Sequence, residues 1–428
     1  MRGRVIRAVV HGLALGATIV CTATACTIGG QVPDLGEGHG DGPEVVITPE
    51  PGTSEVNPNT PVRVVVDGGA VSDVRVEQRP VDESAEGGVG ERDETASRGS
   101  VNEDGSVWTS DWNLQPGAEV TVYVTAEGSG GQESEVVSVF TTVDVTGEKH
   151  LSLASNFPVT GDVVGVGMPV IINFDSPVEN KEQVENSIEV TSEHPVLGAW
   201  NWVSDEMAVF RPEEYWEPYQ DVRVDVRLTG VEASEGVYGL DEHTIEFEVG
   251  RELISTMHVP DHEMKVSIDG EHVRTIPVSN GSGQRRFDTT TSGIHLTMEK
   301  YSSLVMDSAT VGVPEGSPGH YRLDVDWAVR TSNSGEFAHA APWNGRIGSA
   351  NTSNGCTNMS VENARWFHDQ SLMGDVLETT GTDRELEWDN GWGYYQRSWE
   401  EWLDHSVTGA PQVTDGSGTP GSVHGEDL

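Results

Sequence analysis

A chain of 428 residues exceeds what one hydrophobic core holds and points to about three domains. Its 70 acidic residues against 25 basic ones give a formal net charge of −45, which excludes the phosphate backbone of nucleic acid as a partner. A hydrophobic share of 35% excludes a wholly disordered chain, and 50 glycines beside many short valine-rich runs favour β-structure with frequent turns.

The first 25 residues read as an export signal. Arg2, Arg4 and Arg7 form a basic start, residues 8–20 are mostly apolar, and Ala23-Thr24-Ala25 is a small-residue cleavage site. Cys26 follows directly, as in bacterial lipoproteins, although that class usually carries Leu where Ala23 stands. Two outcomes follow: lipidation at Cys26, which anchors the protein to the membrane, or plain secretion. With Cys21 removed and Cys26 acylated, Cys356 is the one free thiol left. An unpaired cysteine in an exported chain is either reactive or an intermolecular partner.

Residues 26–43 are Gly-, Pro- and acid-rich and read as a flexible linker. Residues 44–147 alternate short β-runs, such as Val62-Arg63-Val64-Val65-Val66 and Val120-Thr121-Val122-Tyr123-Val124, with turns at Asp67-Gly68-Gly69 and Asp104-Gly105. No helical period appears, so an immunoglobulin-like sandwich is expected, with residues 83–100 as a polar insertion. Residues 148–250 repeat the style and predict a second sandwich with one short helix over residues 179–187. Trp200 and Trp202 lie two apart and share a strand face.

From Arg251 onward the chemistry concentrates. Residues 251–382 form the expected catalytic domain, residues 383–408 a Trp-rich extension, and residues 409–428 a low-complexity tail expected to be disordered. The whole chain is thus expected to be mainly β: two immunoglobulin-like sandwiches, then a β-rich domain with a few short helices.

A thiol needs a base nearby to become a nucleophile at neutral pH. His339 precedes Cys356 by a span that one strand and a returning loop close. Gly355 permits a tight turn whose backbone N–H groups face a developing oxyanion. Nucleophile, base and oxyanion donor make up the minimum kit for acyl transfer. His258 and His262 flank Pro260, which breaks the helical spacing a metal pair requires, so no metal site is expected. The Trp388, Trp392, Trp399 and Trp402 cluster is expected to pack the extension onto the catalytic domain.

Val305-Met306-Asp307-Ser308, Gly312-Val313-Pro314, residues 321–328, Phe337-Ala338-His339-Ala340-Ala341-Pro342-Trp343 and residues 351–360 together resemble the actinobacterial L,D-transpeptidases. The two preceding sandwiches, Gly198-Ala199-Trp200 and the Trp-rich extension fit as well. The resemblance implies Cys356 as nucleophile, His339 as base and the backbone carbonyl of Ala340 as the third member. It implies Gly355 as oxyanion turn, and Tyr321, Met306, Trp343, Ser353, Asn354 and Asn358 as substrate-pocket residues. Asn354 departs from the pattern, because the family carries His there and an amide takes up no proton near neutral pH. The implied reaction joins peptidoglycan stem tetrapeptides in 3→3 cross-links through a Cys thioester. It needs no cofactor and implies acylation by carbapenem β-lactams. The alternatives are an L,D-carboxypeptidase or endopeptidase, with water as acceptor, and a weakly active wall-binding lipoprotein.

Overall fold

The computed structural model describes residues 42–81, 95–145, 150–317 and 319–424. The export signal, Cys26 and most of the 83–100 insertion lie outside the described residues. Strands dominate, and among the described residues no helix is long and apolar enough to cross a membrane.

The first sandwich pairs a four-stranded sheet with a three-stranded one. Its three-stranded sheet shows why the alternating pattern folds this way. Along Ala118–Gly128 every second residue turns inward, and Val120, Val122 and Val124 meet Val64, Val66 and Trp108 across the layer, with Phe140 beside Val120 on the neighbouring strand. The second sandwich has a larger core, in which Trp200, Phe210, Trp216 and Phe247 interlock with Val222, Val224 and Val226. Its short helix spans Lys181–Asn186. Trp200 is fully buried, whereas Trp202 is half-buried and stacks on Phe174 at 5.7 Å between ring centroids.

The catalytic domain begins at the strand Leu253–His258 and shares a core with the second sandwich. Leu296 and Val376 pack with Val164 and Val166. Gly165 and Gly167 donate their backbone N–H groups to Met373 and Gly374 at 2.7 and 3.0 Å. A Cβ at Gly165 would stand 2.4 Å from the Asp375 carboxylate, so only glycine permits this approach. Arg251 grips the buried Asp375 through two bonds of 2.7 and 2.8 Å, closing the junction from the other side.

Two sheets build this domain. Five strands, with Leu253–His258 central, form one; Lys300–Asp307, Arg322–Arg330, Phe337–Ala340 and Thr357–Met359 form the other in that order. The helix Val361–Gln370 packs behind the second sheet through Ala364 and Phe367. Ser360 caps it, its hydroxyl accepting the Asn363 N–H at 3.2 Å.

Two expectations change. The Trp-rich extension packs on the second sandwich as well as on the catalytic domain, where Leu386 N and Gln396 Nε2 donate to Ser292 O (2.8 Å) and Ile294 O (3.2 Å); Trp402 sits with Ile171, Ala199 and Val209 on the outer face of a sandwich sheet. Its indole N–H donates to Ala199 O at 2.9 Å. The tail is also ordered as far as His424. Gln412–Val413 adds a strand beside Leu197–Gly198, Thr414 and Val423 are buried, and His424 lies between Asn59 O (3.0 Å) and Ser110 O (2.9 Å). Apolar periodicity gave no sign of this, because the tail is held by backbone and hydroxyl hydrogen bonds to an open sheet edge.

Candidate active site

Phe337–Ala340 and Thr357–Met359 run parallel, with His339 beside Asn358. A parallel pair requires a crossover, and residues 341–356 supply it as a loop that returns Cys356 to the start of the second strand. The two strands therefore hold the imidazole and the thiol on one sheet, and both line a cleft of about 350 Å³. A larger groove of about 650 Å³ on the second sandwich holds neither a thiol nor an imidazole, so its chemistry is of another kind.

His339 is buried, and its Nδ1 lies 2.8 Å from Ala340 O. A carbonyl only accepts, so Nδ1 carries the proton and Nε2 is left as the basic nitrogen. Burial lowers the pKa of the ring, opposed by the hydrogen bond to Ala340 O. Burial pushes the Cys356 thiol up to about 12; the Phe337 N–H opposes this and the Glu336 carboxylate adds to it. The S–H points to Gly335 O at 3.6 Å. Both shifts favour the uncharged forms, thiol and imidazole.

The turn before Cys356 differs from expectation in one respect. Gly355 has φ +114°, a conformation that favours glycine, but its N–H is spent on Ser353 Oγ at 3.2 Å. The Ser353 hydroxyl in turn donates to Cys356 O at 2.5 Å. Gly355 and Ser353 thus shape the turn from within, and the neighbouring Cys356 N–H has no partner among the described residues. Thr290 Oγ1 holds the Gly355 carbonyl from behind at 2.6 Å.

The remaining expected residues line the same cleft. Met306 packs under Cys356 with Val325, Ala328 and Phe337. Tyr321 directly precedes the strand Arg322–Arg330, its backbone tied to Ser308 at 2.9 and 3.0 Å. Burial raises its hydroxyl to about 12, helped by the Asp288 and Asp307 carboxylates, so it stays a donor. Trp343 is 53% exposed at the mouth, 6.3 Å from the His339 ring. Asn358 is buried beside His339, and Asn354 sits exposed on the rim with its amide unpartnered among the described residues.

One functional neighbour escaped the sequence. Glu336 is buried between Gly335 and Phe337 and accepts Thr291 N at 3.0 Å and Thr291 Oγ1 at 2.5 Å. His295 and Arg384 each approach it at 3.6 Å. Burial alone would raise its pKa, but His295, Thr291 and Arg384 hold it below the ordinary value. The only signal in the sequence was a charge one residue before an apolar strand. Because this carboxylate opposes thiolate formation, Glu336→Gln is expected to lower the Cys356 thiol pKa. Each unit of decrease gives about tenfold more thiolate at pH 7–8. The pH dependence of iodoacetamide alkylation measures it, and an unchanged or higher thiol pKa would contradict the electrostatic link.

Residues 53–232 match the bacterial Ig domain family, and residues 254–379 match the L,D-transpeptidase catalytic domain. The chain is 36% identical to L,D-transpeptidase 2 of Mycobacterium tuberculosis over 306 residues, which cover 71% of this chain and 73% of that protein. It is 32% identical to L,D-transpeptidase 5 of the same species over 321 residues, covering 73% of this chain and 68% of that protein. A solved L,D-transpeptidase in complex with imipenem is 36% identical, with 54% of this chain and 99% of that chain covered and a TM-score of 0.47. Identity at this level over so much of two relatives, together with the catalytic-domain match, places the chain: it belongs to the L,D-transpeptidase family.

Proposed function

We propose that Cys356 is the nucleophile of a cysteine acyltransferase that forms 3→3 cross-links between peptidoglycan stem peptides. The observation that carries the reading is the His339 tautomer: Nδ1 is committed to Ala340 O, so Nε2 is free to take a proton within the cleft that holds the thiol. In the first half-reaction His339 Nε2 takes the S–H proton as sulfur bonds to the carbonyl before the terminal D-Ala of a donor tetrapeptide. The Cys356 N–H faces the resulting oxyanion. The tetrahedral adduct collapses, the imidazolium returns its proton to the departing D-Ala amine, and a thioester remains. In the second half-reaction His339 takes a proton from the side-chain amine of an acceptor stem's third residue, meso-diaminopimelate. That amine attacks the thioester, an amide bond forms, and the returning proton restores the thiol. No step requires a metal or a redox cofactor.

A strained β-lactam carbonyl fits the same nucleophile, so carbapenems are proposed to acylate Cys356. Incubating the full chain with a carbapenem is expected to add one drug mass, absent in Cys356→Ala. The absence of an adduct at low and high salt alike would contradict the assignment. The chain is further proposed to act outside the cytoplasmic membrane, anchored through an acylated Cys26. The same intact-mass spectrum reads this on exported protein, and an unmodified Cys26 would overturn it.

A further inference from the structure

We propose that Arg346 is a specificity-determining residue of the cleft, recognising a carboxylate of the stem peptide. This rests on the reading of the cleft as the stem-peptide site. The charge of the cleft is opposite to that of the protein. The chain carries a net charge of −45, yet among the described residues the cleft lining contains no Asp or Glu, and Arg346 is its one permanently charged side chain. A surface so acidic repels an anionic peptide, and a guanidinium in the same cleft as the thiol reverses the sign where the peptide must sit.

The loop holds this arginine by its backbone and leaves the side chain free. Arg346 N donates to Asn344 Oδ1 at 3.0 Å. Its carbonyl accepts the N–H groups of Ser349 and Ala350 at 2.9 and 3.0 Å and the Ser349 hydroxyl at 2.9 Å. Gly348 N ties the same loop to Val278 O at 2.9 Å. Among the described residues no carboxylate or carbonyl engages the Arg346 guanidinium. Arg251, Arg285 and Arg384, in the same domain, are all held by carboxylates. Arg346 breaks no existing bond when it binds an anion, and its planar donors match a carboxylate in a two-pronged fashion. Asn344 and Trp343, on the same loop, complete that wall of the cleft.

With isoglutamine as its second residue, the donor tetrapeptide presents two carboxylates, one on the terminal D-Ala and one on the side branch of diaminopimelate. Three peptides separate them: the free acid, the D-Ala amide and the diaminopimelate amide. Their binding is measured by calorimetry on full chain carrying Cys356→Ala, which prevents turnover, with and without Arg346→Gln. Arg346→Gln is expected to weaken the free acid about 5–20-fold, a charge-assisted bond discounted for solvent exposure. The amide that removes the recognised carboxylate binds both proteins equally, and so identifies the source. Equal weakening of all three peptides, no weakening at all, or no binding of any peptide to either protein would overturn the proposal. Failure of the Cys356 assignment shows elsewhere, as the missing carbapenem adduct on the unsubstituted chain.

Discussion

His339→Gln is expected to lower turnover about 10²–10⁴-fold, the usual contribution of a positioned general base. Glutamine retains a donor near Ala340 O but has no nitrogen that accepts a proton near neutral pH. The effect is large because the thiol cannot ionise unaided: burial and Glu336 hold it near 12, so almost no thiolate exists at pH 7. On the proposed mechanism its proton leaves during attack and His339 Nε2, in the same cleft, takes it. The pH profile follows with a definite sign. Burial lowers the His339 pKa, so the basic form persists into mildly acidic solution. The acid limb of kcat/KM therefore lies below the ordinary histidine value of about 6.5. In His339→Gln that limb disappears and the remaining rate rises with pH towards the thiol. Turnover on a tetrapeptide donor with an amine acceptor, followed from pH 4 to 9, measures both. A loss under about threefold, or an acid limb above 6.5, would remove His339 from the role of base.

Trp402→Ala is expected to destabilise the fold by roughly 3–5 kcal/mol, the range for removing a large buried aromatic. At about 2–4 °C per kcal/mol for a domain of this size, Tm falls by roughly 6–20 °C. Trp402 is wholly buried, and three sets of contacts fail together when it is lost. The Ala199 carbonyl loses its donor, and the Tyr394 ring, 5.9 Å away, loses its neighbour. The third contact is Arg211, which is 2% exposed and has no carboxylate within ion-pair reach among the described residues. Its guanidinium donates to the carbonyls of Pro212, Glu213 and Arg397 at 3.0, 3.1 and 3.1 Å. The rings of Tyr395, Trp399 and Trp402 surround it at 4.7, 5.4 and 4.8 Å. Desolvation pushes its pKa down, opposed by the charges of nearby groups. Removing one ring of this box leaves a buried cation with less to stabilise it. Scanning calorimetry of Trp402→Ala beside Trp402→Phe tests the account. Phenylalanine restores ring contact but not the Ala199 bond, so it should lose less. A Tm within about 2 °C of the parent would refute the packing role.

The two predictions differ in how far each was legible beforehand. Cys356 stood out because every other cysteine falls in or beside the export signal, and His339 stood out because catalysis requires a base within reach. Strand alternation such as that of Ala118–Gly128 is a local property, since inward and outward residues are set by the two-residue period alone. The sandwiches and the thiol–imidazole pair were therefore readable along the chain. Glu336, by contrast, is one acid among 70, and its meaning depends on Thr291, His295 and Arg384 arriving from distant segments. Trp402 announced itself as aromatic but not which surface it covers, because the partner, the Ala199 face of a sandwich sheet, lies some 200 positions away.

The turn at Cys356 shows the division most sharply. A glycine before the nucleophile marks a tight turn in the sequence, and the structure has one, with φ +114° at Gly355. Which N–H groups face the cleft was decided by side-chain hydrogen bonds. Ser353 claims the Gly355 N–H, Thr290 claims its carbonyl, and the Cys356 N–H is left free. The tail from residue 409 follows the same logic: without apolar periodicity it looked disordered, yet an open sheet edge and two carbonyls around His424 order it. By itself, then, the sequence determined the β architecture and singled out the thiol and the imidazole that share one cleft, because period and residue type act locally. The tertiary structure alone decided the charge around the thiol, the free Cys356 N–H, the one guanidinium among the described residues that line the cleft, and the surfaces that the extension covers. Each of these depends on groups that meet only after distant segments pack.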